Sequence, residues 1–199
     1  MDNKKDQLEM EYEKLSRLNQ IYLMVISRYK DHIEASEEIS VAQLPTMVMP
    51  KSNVILQRAN IIKKAYASYN YDSDFRDAAN AAFEFIINNV DEINLPLQFW
   101  LTPEETLRFM AGDITDRAIL LCSLFIALDN PSSKVLIVTN ESNRTILVYY
   151  DLNGKTVMYD LSKRIIKEFP TRDNMVESLS RDENTTIYEF NDQMYIDII

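Results

Sequence analysis

Glycine is nearly missing from this 199-residue chain: there are two, Gly112 and Gly154. A loop that cradles phosphate needs several glycines in one turn, so that route to nucleotide binding is excluded. A single cysteine, Cys122, excludes an internal disulfide and suits a reducing compartment, which predicts a cytoplasmic location. A single histidine, His32, leaves no set of imidazoles for a metal site, and neither metal nor cofactor is expected. No apolar run reaches the length that spans a bilayer. The first residues, "MDNKKDQLEMEYEK", are charged and lack the apolar stretch of a secretion signal. Positive charge is also scarce: 21 Lys and Arg stand against 31 Asp and Glu, a formal net charge of -10. Nucleic acids and anionic membranes both reward a basic face, so neither is expected as a partner.

Apolar residues, by contrast, make up 46% of the chain, enough for one sizeable core. Residues from about Lys5 to about Glu38 read as one long helix. Leu8, Leu15, Tyr22 and Tyr29 recur at every seventh position, with Leu18 and Val25 between them, as in a heptad stripe. Glu11 and His32 fall on the same seam and interrupt it. Such a helix either packs on its own chain or acts as a coiled-coil or docking helix for a partner, a second copy included. Pro45 and Pro50 in "QLPTMVMPKSN" cannot sit in a helix interior. They mark a boundary between an N-terminal helical extension, residues 1–45, and a main domain, residues 51–199.

In that domain the spacing predicts helices over Val54–Tyr69 and Asp74–Ile93, the second with small Ala78, Ala79, Ala81 and Ala82 for close packing. Thr102, Pro103 and Glu105 have the order of an N-cap, a first helical position and a capping box. Gly112 reads as the C-terminal cap of that short helix, and "DITDRAILLCSLFIAL" as a buried helix after it. Beyond Asn130 the β-rich runs "KVLIVT", "TILVYYDL" and "KTVMYDLS" follow, the last two joined by an Asn153-Gly154 hairpin turn. "SKRIIKEFP" reads as a short helix or a crossing segment, and "TIYEFNDQMYIDII" as a terminal hairpin turning at Asn191-Asp192. Helices followed by a meander predict an α+β fold.

The stretch "FWLTPEETLRFMAGDITDRAILLCSLFIALD" resembles the core of transglutaminase-like domains of the papain-like fold. Their signature runs approximately W-x-T-P-x-E-T-L, then G-D-C-x-D-x-A-x-L-L. Trp100, Thr102, Pro103, Glu105, Gly112, Asp113, Asp116 and Ala118 match it. The resemblance covers roughly Asp74 to Ser162. It implies a cysteine at the head of the core helix, where the helix dipole favours its thiolate. It further implies a histidine on the facing sheet and an aspartate on the next strand to orient it. Mapped onto this chain, the cysteine position is Ile114, the histidine position Thr145 and the aspartate position Asp160. With a two-residue turn at Asn153-Gly154, Asp160 lies opposite Leu147, so Thr145 and Asp160 become diagonal neighbours on one face.

Ile114 has no nucleophilic atom, and Thr145 is no general base near neutrality. Asp160 without a histidine reads as a structural acceptor or cap. Cys122 sits inside "ILLCSLF" and reads as a buried, inert thiol; His32 lies far from the matched region. Asp113 and Asp116 suit a helix start and, without a third acidic partner, make a poor metal site. Alternation predicts that at least one of Tyr149, Tyr150 and Tyr159 is exposed. The expected function is a catalytically inactive transglutaminase-like domain that binds a protein or peptide or serves assembly, with homo-oligomers forming through the N-terminal helix. The alternative is a thiol-independent hydrolase or transferase built on Asp113, Asp116 or Asp160. A third reading makes the helix the working part and the domain its support.

Overall fold

A computed structural model describes residues 2–36, 40, 43–94, 96–97, 99–141, 143–180 and 184–198. They form two compact units, Met1–Glu38 with Asn94–Phe99, and Ile39–Ile93 with Trp100–Ile199. The first unit holds helix α1, Asp2–Arg28, and helix α2, Lys30–Ser36. The expected single helix is therefore interrupted at Tyr29, and its expected end at Glu38 lies outside the described residues. The Tyr29 amide is shared between the carbonyls of Val25 (3.1 Å) and Ile26 (3.2 Å), and Ile33 N–H donates to Tyr29 O at 3.0 Å. Helical hydrogen bonding thus runs through the break. Leu15, Leu18, Tyr22, Val25 and Tyr29, the heptad positions, are exposed.

The second unit begins with a short helix, α3, Leu44–Met47, in which Pro45 occupies an early position that needs no N–H donor. Leu44 and Val48 are buried in the core, and Met49 N–H donates to Ser123 Oγ at 3.0 Å, so the proline-marked segment packs as part of this unit. Helix α4, Asn53–Lys63, buries Ile55, Ala59 and Ile62 at helical spacing. It ends well before Tyr69, whose hydroxyl donates to Leu128 O at 2.7 Å; the chain leaves the helix to make that contact. Helix α5, Tyr71–Asn89, buries Phe75, Ala78, Ala79, Ala82, Phe83 and Ile86, while Ala81 faces out. Its expected tail instead forms strand β1, Asp91–Glu92.

Helix α6, Pro103–Phe109, starts on the full Thr102–Glu105 capping box. Met110, not Gly112, closes it, with a left-handed φ of 51°. Gly112 lies in strand β2, Ala111–Gly112, which pairs in parallel with β1. Its lack of a side chain serves space: a Cβ there would stand 2.8 Å from Asp116 Cβ. Helix α7, Ile114–Ala127, is buried from Thr115 to Phe125 and forms the axis of the unit. Each fully buried Leu or Ile on it contributes about 2 kcal/mol of apolar burial.

Strands β3 (Lys134–Thr139), β4 (Arg144–Leu152), β5 (Lys155–Asp160) and β6 (Ile165–Phe169) form an antiparallel meander. "SKRIIKEFP" thus supplies a strand, corrected from a helix or crossing segment, because Ile165–Phe169 pairs along the length of β5. Helix α8, Arg172–Leu179, then crosses to strands β7 (Thr186–Phe190) and β8 (Tyr195–Asp197) on the far side of β3. The sheet order is β6-β5-β4-β3-β7-β8.

The sheet is covered on both faces. Val135, Ile137, Ile146, Val148, Tyr150 and Tyr159 pack with α7 in the larger core. Leu136, Val138, Leu147, Tyr149 and Met158 pack with Met175 and Val176 of α8 in the smaller one. Tyr149, Tyr150 and Tyr159 are all buried, against the expectation that one is exposed. Alternation between core and solvent applies only where one face of a sheet is wet.

Candidate functional site

The head of α7 is built by its neighbours. Asp113 is the N-cap and accepts hydrogen bonds from the amides of Thr115 (2.7 Å) and Asp116 (2.9 Å). Asp116 reciprocates by accepting from Asp113 N–H at 2.9 Å, and its other oxygen accepts from Leu101 N–H at 2.8 Å. The Asp116 carboxylate therefore ties the Trp100–Leu101 connector to the first turn of α7. Burial, then the charge of Asp113, push its pKa up to about 7. The guanidinium of Arg117, itself buried, donates to Glu92 at 2.6 Å and holds β1 against the same turn. At the first helical position stands Ile114, partly buried and packed on the larger core. Beside this region the guanidinium of Arg144 lies 5.9 Å from the centre of the Trp100 ring.

The fold is shared with proteins of known structure. Legionella pneumophila LapG superposes with a TM-score of 0.50 at 13% identity, over 79% of this chain and 87% of its own. Its EGTA-treated form gives 0.52 at 12% identity, over 81% and 87%. Its calcium-bound form gives 0.50 at 13% identity, over 79% and 87%. The fold is transglutaminase-like. No family model and no curated protein sequence matches the chain. At this identity the likeness to LapG is one of fold, and the transglutaminase-like resemblance read from "GDITDRAILL" is matched at that level.

The sheet brings two of the three mapped positions together. Asn153 and Gly154 form the two-residue turn, with φ of 52° and 74°, and Val148 pairs with Tyr159. One step further along this register Asp160 lies opposite Leu147, as the spacing predicts. Thr145 and Asp160 line one cleft of about 310 Å³ with Leu147, Met158, Lys163 and Leu179. That cleft is on the α8 face, whereas Ile114 packs on the α7 face. The structure therefore does not join Ile114 to Thr145 and Asp160, because alternate residues of a strand point to opposite sides. Of the two residues flanking Thr145, Ile146, another hydrocarbon, packs in the larger core, and Arg144 lies over Trp100.

Asp160 is buried and spends its carboxylate on the following turn. It accepts from Ser162 Oγ at 2.7 Å and Lys163 N–H at 2.9 Å, with Lys163 Nζ 3.5 Å away. This is the structural capping role that the sequence suggests for it. Cys122 is fully buried, and burial pushes its thiol pKa far up, so it holds no ready thiolate. His32 is exposed on α2, in the other unit. Among the described residues no group of three or more His, Cys, Asp or Glu is placed to hold a metal ion, and no helix is long and apolar enough to cross a membrane.

Sequence reasoning missed a buried charge cluster. Glu189 of β7 is fully buried and bonds Lys134 Nζ (2.7 Å), Arg172 (3.0 Å) and the Tyr149 hydroxyl. Burial pushes its carboxyl up, but Lys134, Tyr149 and Arg172 outweigh that and hold it below the usual range. Burial, with Glu189, drives the Tyr149 phenol far up. The four members come from four different elements, and no local motif announces them.

Proposed function

We propose that this chain is a catalytically inactive transglutaminase-like domain, acting in the cytoplasm as a protein- or peptide-binding or assembly module. One observation carries the reading: the head of α7, where the fold's resemblance calls for a nucleophilic cysteine, is Ile114. Two more support it. The chain's one thiol is sealed in the core, and its one histidine lies outside the domain unit. A cleft of about 550 Å³ between α4 and α6 supplies a binding surface, with Val54, Ile61 and Leu107 as apolar wall and Arg58, Glu104 and Arg108 as charged rim. The exposed stripe of α1 supplies an assembly surface.

The test is incubation of the purified full chain with amine and glutamine donors and with peptide and isopeptide substrates. No turnover is expected. Thiol-dependent turnover that disappears on Cys122→Ala would overturn the reading. A second reading, a carboxylate-based hydrolase, draws on Asp116, whose pKa near 7 suits an acid or base at neutral pH. Against it, Asp116 is buried and both its oxygens are taken by backbone amides.

A further inference from the structure

We propose that α1 pairs antiparallel with α1 of a second copy of this chain, centred on Gln20. The inference deepens the assembly role above and rests on it. Leu15, Leu18, Tyr22, Val25 and Tyr29 form a seam down one side of the helix, and each keeps 40% or more of its surface exposed. A contiguous apolar stripe of this kind marks an interaction surface.

Charge selects the occupant. Every charged residue from Lys14 to Lys30 is basic: Lys14, Arg17, Arg28 and Lys30. The turn before it is acidic, with Glu11 and Glu13. Reversing the helix about Gln20 brings Arg28 of one copy to the level between Glu11 and Glu13 of the other. A parallel pair sets Glu11 against Glu11 in the seam. An antiparallel pair centred on Gln20 sets Leu15 against Val25, Leu18 against Tyr22, and Glu11 against Tyr29 beside Arg28. Each contact occurs twice by the twofold symmetry, and the six layers span about 27 Å of helix. The seam's polar member Glu11, a flaw in a parallel coil, here meets a phenol and a guanidinium. Leu23 and Met24 are as exposed as the seam residues but point away from it, which makes them internal controls.

Sedimentation equilibrium of the full-length protein at micromolar concentration tests the pairing. A mass of two chains is expected. Leu18→Lys should weaken the dimer on the order of 30-fold or more, as loss of a central interface residue does. Leu23→Lys should leave it intact. Orientation is read by oxidising Leu15→Cys and Val25→Cys variants, with Cys122 buried and silent. A mixture of the two should cross-link, and neither should cross-link alone. A single-chain mass, a dimer broken by Leu23→Lys but not Leu18→Lys, or self-cross-linking of either variant overturns the pairing. Those failures leave the non-catalytic reading standing. Its own failure would appear as thiol-dependent product from an intact dimer.

Discussion

The two faces of the six-stranded sheet are both buried, but by different chemistry. On the α7 side the contact is hydrocarbon and aromatic. Phe125 sits among Phe75, Tyr150 and Tyr159 with ring centres 5.0–6.2 Å apart, mostly edge-on. The polar tips on that face are paired, Tyr150 with Tyr159 at 3.0 Å and Tyr159 with Asn80 at 2.9 Å. On the α8 side a smaller apolar patch shares space with Glu189 and its cations at one end and with Thr145 and Asp160 at the other. The α8 face carries the buried carboxylates Glu189 and Asp160, yet they are committed to ion pairs and a turn. A buried acid is thus no sign of chemistry until its lone pairs are counted.

Mutation should separate the two faces. The largest effect is expected on the α7 side: Phe125→Ala removes the central ring and should cost about 4 kcal/mol in urea unfolding. If it costs no more than a surface change, the aromatic cluster is not the keystone of the fold. On the α8 side, Glu189→Gln leaves Lys134 and Arg172 without their counter-charge and should cost about 3 kcal/mol, tempered by the partial exposure of both cations. Glu189 is held below its ordinary value of 4.5, so the stability it supplies is present above that pH and is lost as pH falls. The wild type should therefore weaken in acid more steeply than Glu189→Gln. Asp116, at the head of α7, titrates the other way. Its folded pKa is raised from 3.8 to about 7, so its contribution is full below 3.8 and fades as pH rises toward 7. Asp116→Asn replaces one of the two side-chain oxygens that accept from backbone N–H groups and should cost about 1–2 kcal/mol at low pH. Its deficit relative to wild type should shrink as pH rises from about 4 to about 8; a constant deficit would place the Asp116 pKa at its ordinary value.

Features governed by short-range rules were legible in the chain. The Thr102–Glu105 box, the Asp113 cap and the Asn153-Gly154 turn each depend on residues within four positions, and each formed as read. The turn in turn set the register that makes Thr145 and Asp160 neighbours. Gly112 was misread because its reason is steric: the constraint is a side chain four residues away, not a backbone angle. The strand at Ile165–Phe169 was misread because its pattern of exposure is that of a sheet edge, with no buried alternation to reveal it. The tyrosines were misread because α8, the second cover, carries only two buried residues and little apolar signal of its own.

By itself the sequence determined the α+β class, the frame of a capped core helix and the residue, Ile114, at its head. Those follow from local hydrogen bonding, periodicity and residue chemistry, which need no distant partner. Only the tertiary structure decided which side of the sheet each strand residue meets. It thereby sent Thr145 and Asp160 to the α8 cleft, left Ile114 packed on the larger core, and assembled Lys134, Tyr149, Arg172 and Glu189 into one buried cluster. Their meeting depends on how two layers close over a sheet, and no spacing along the chain records that.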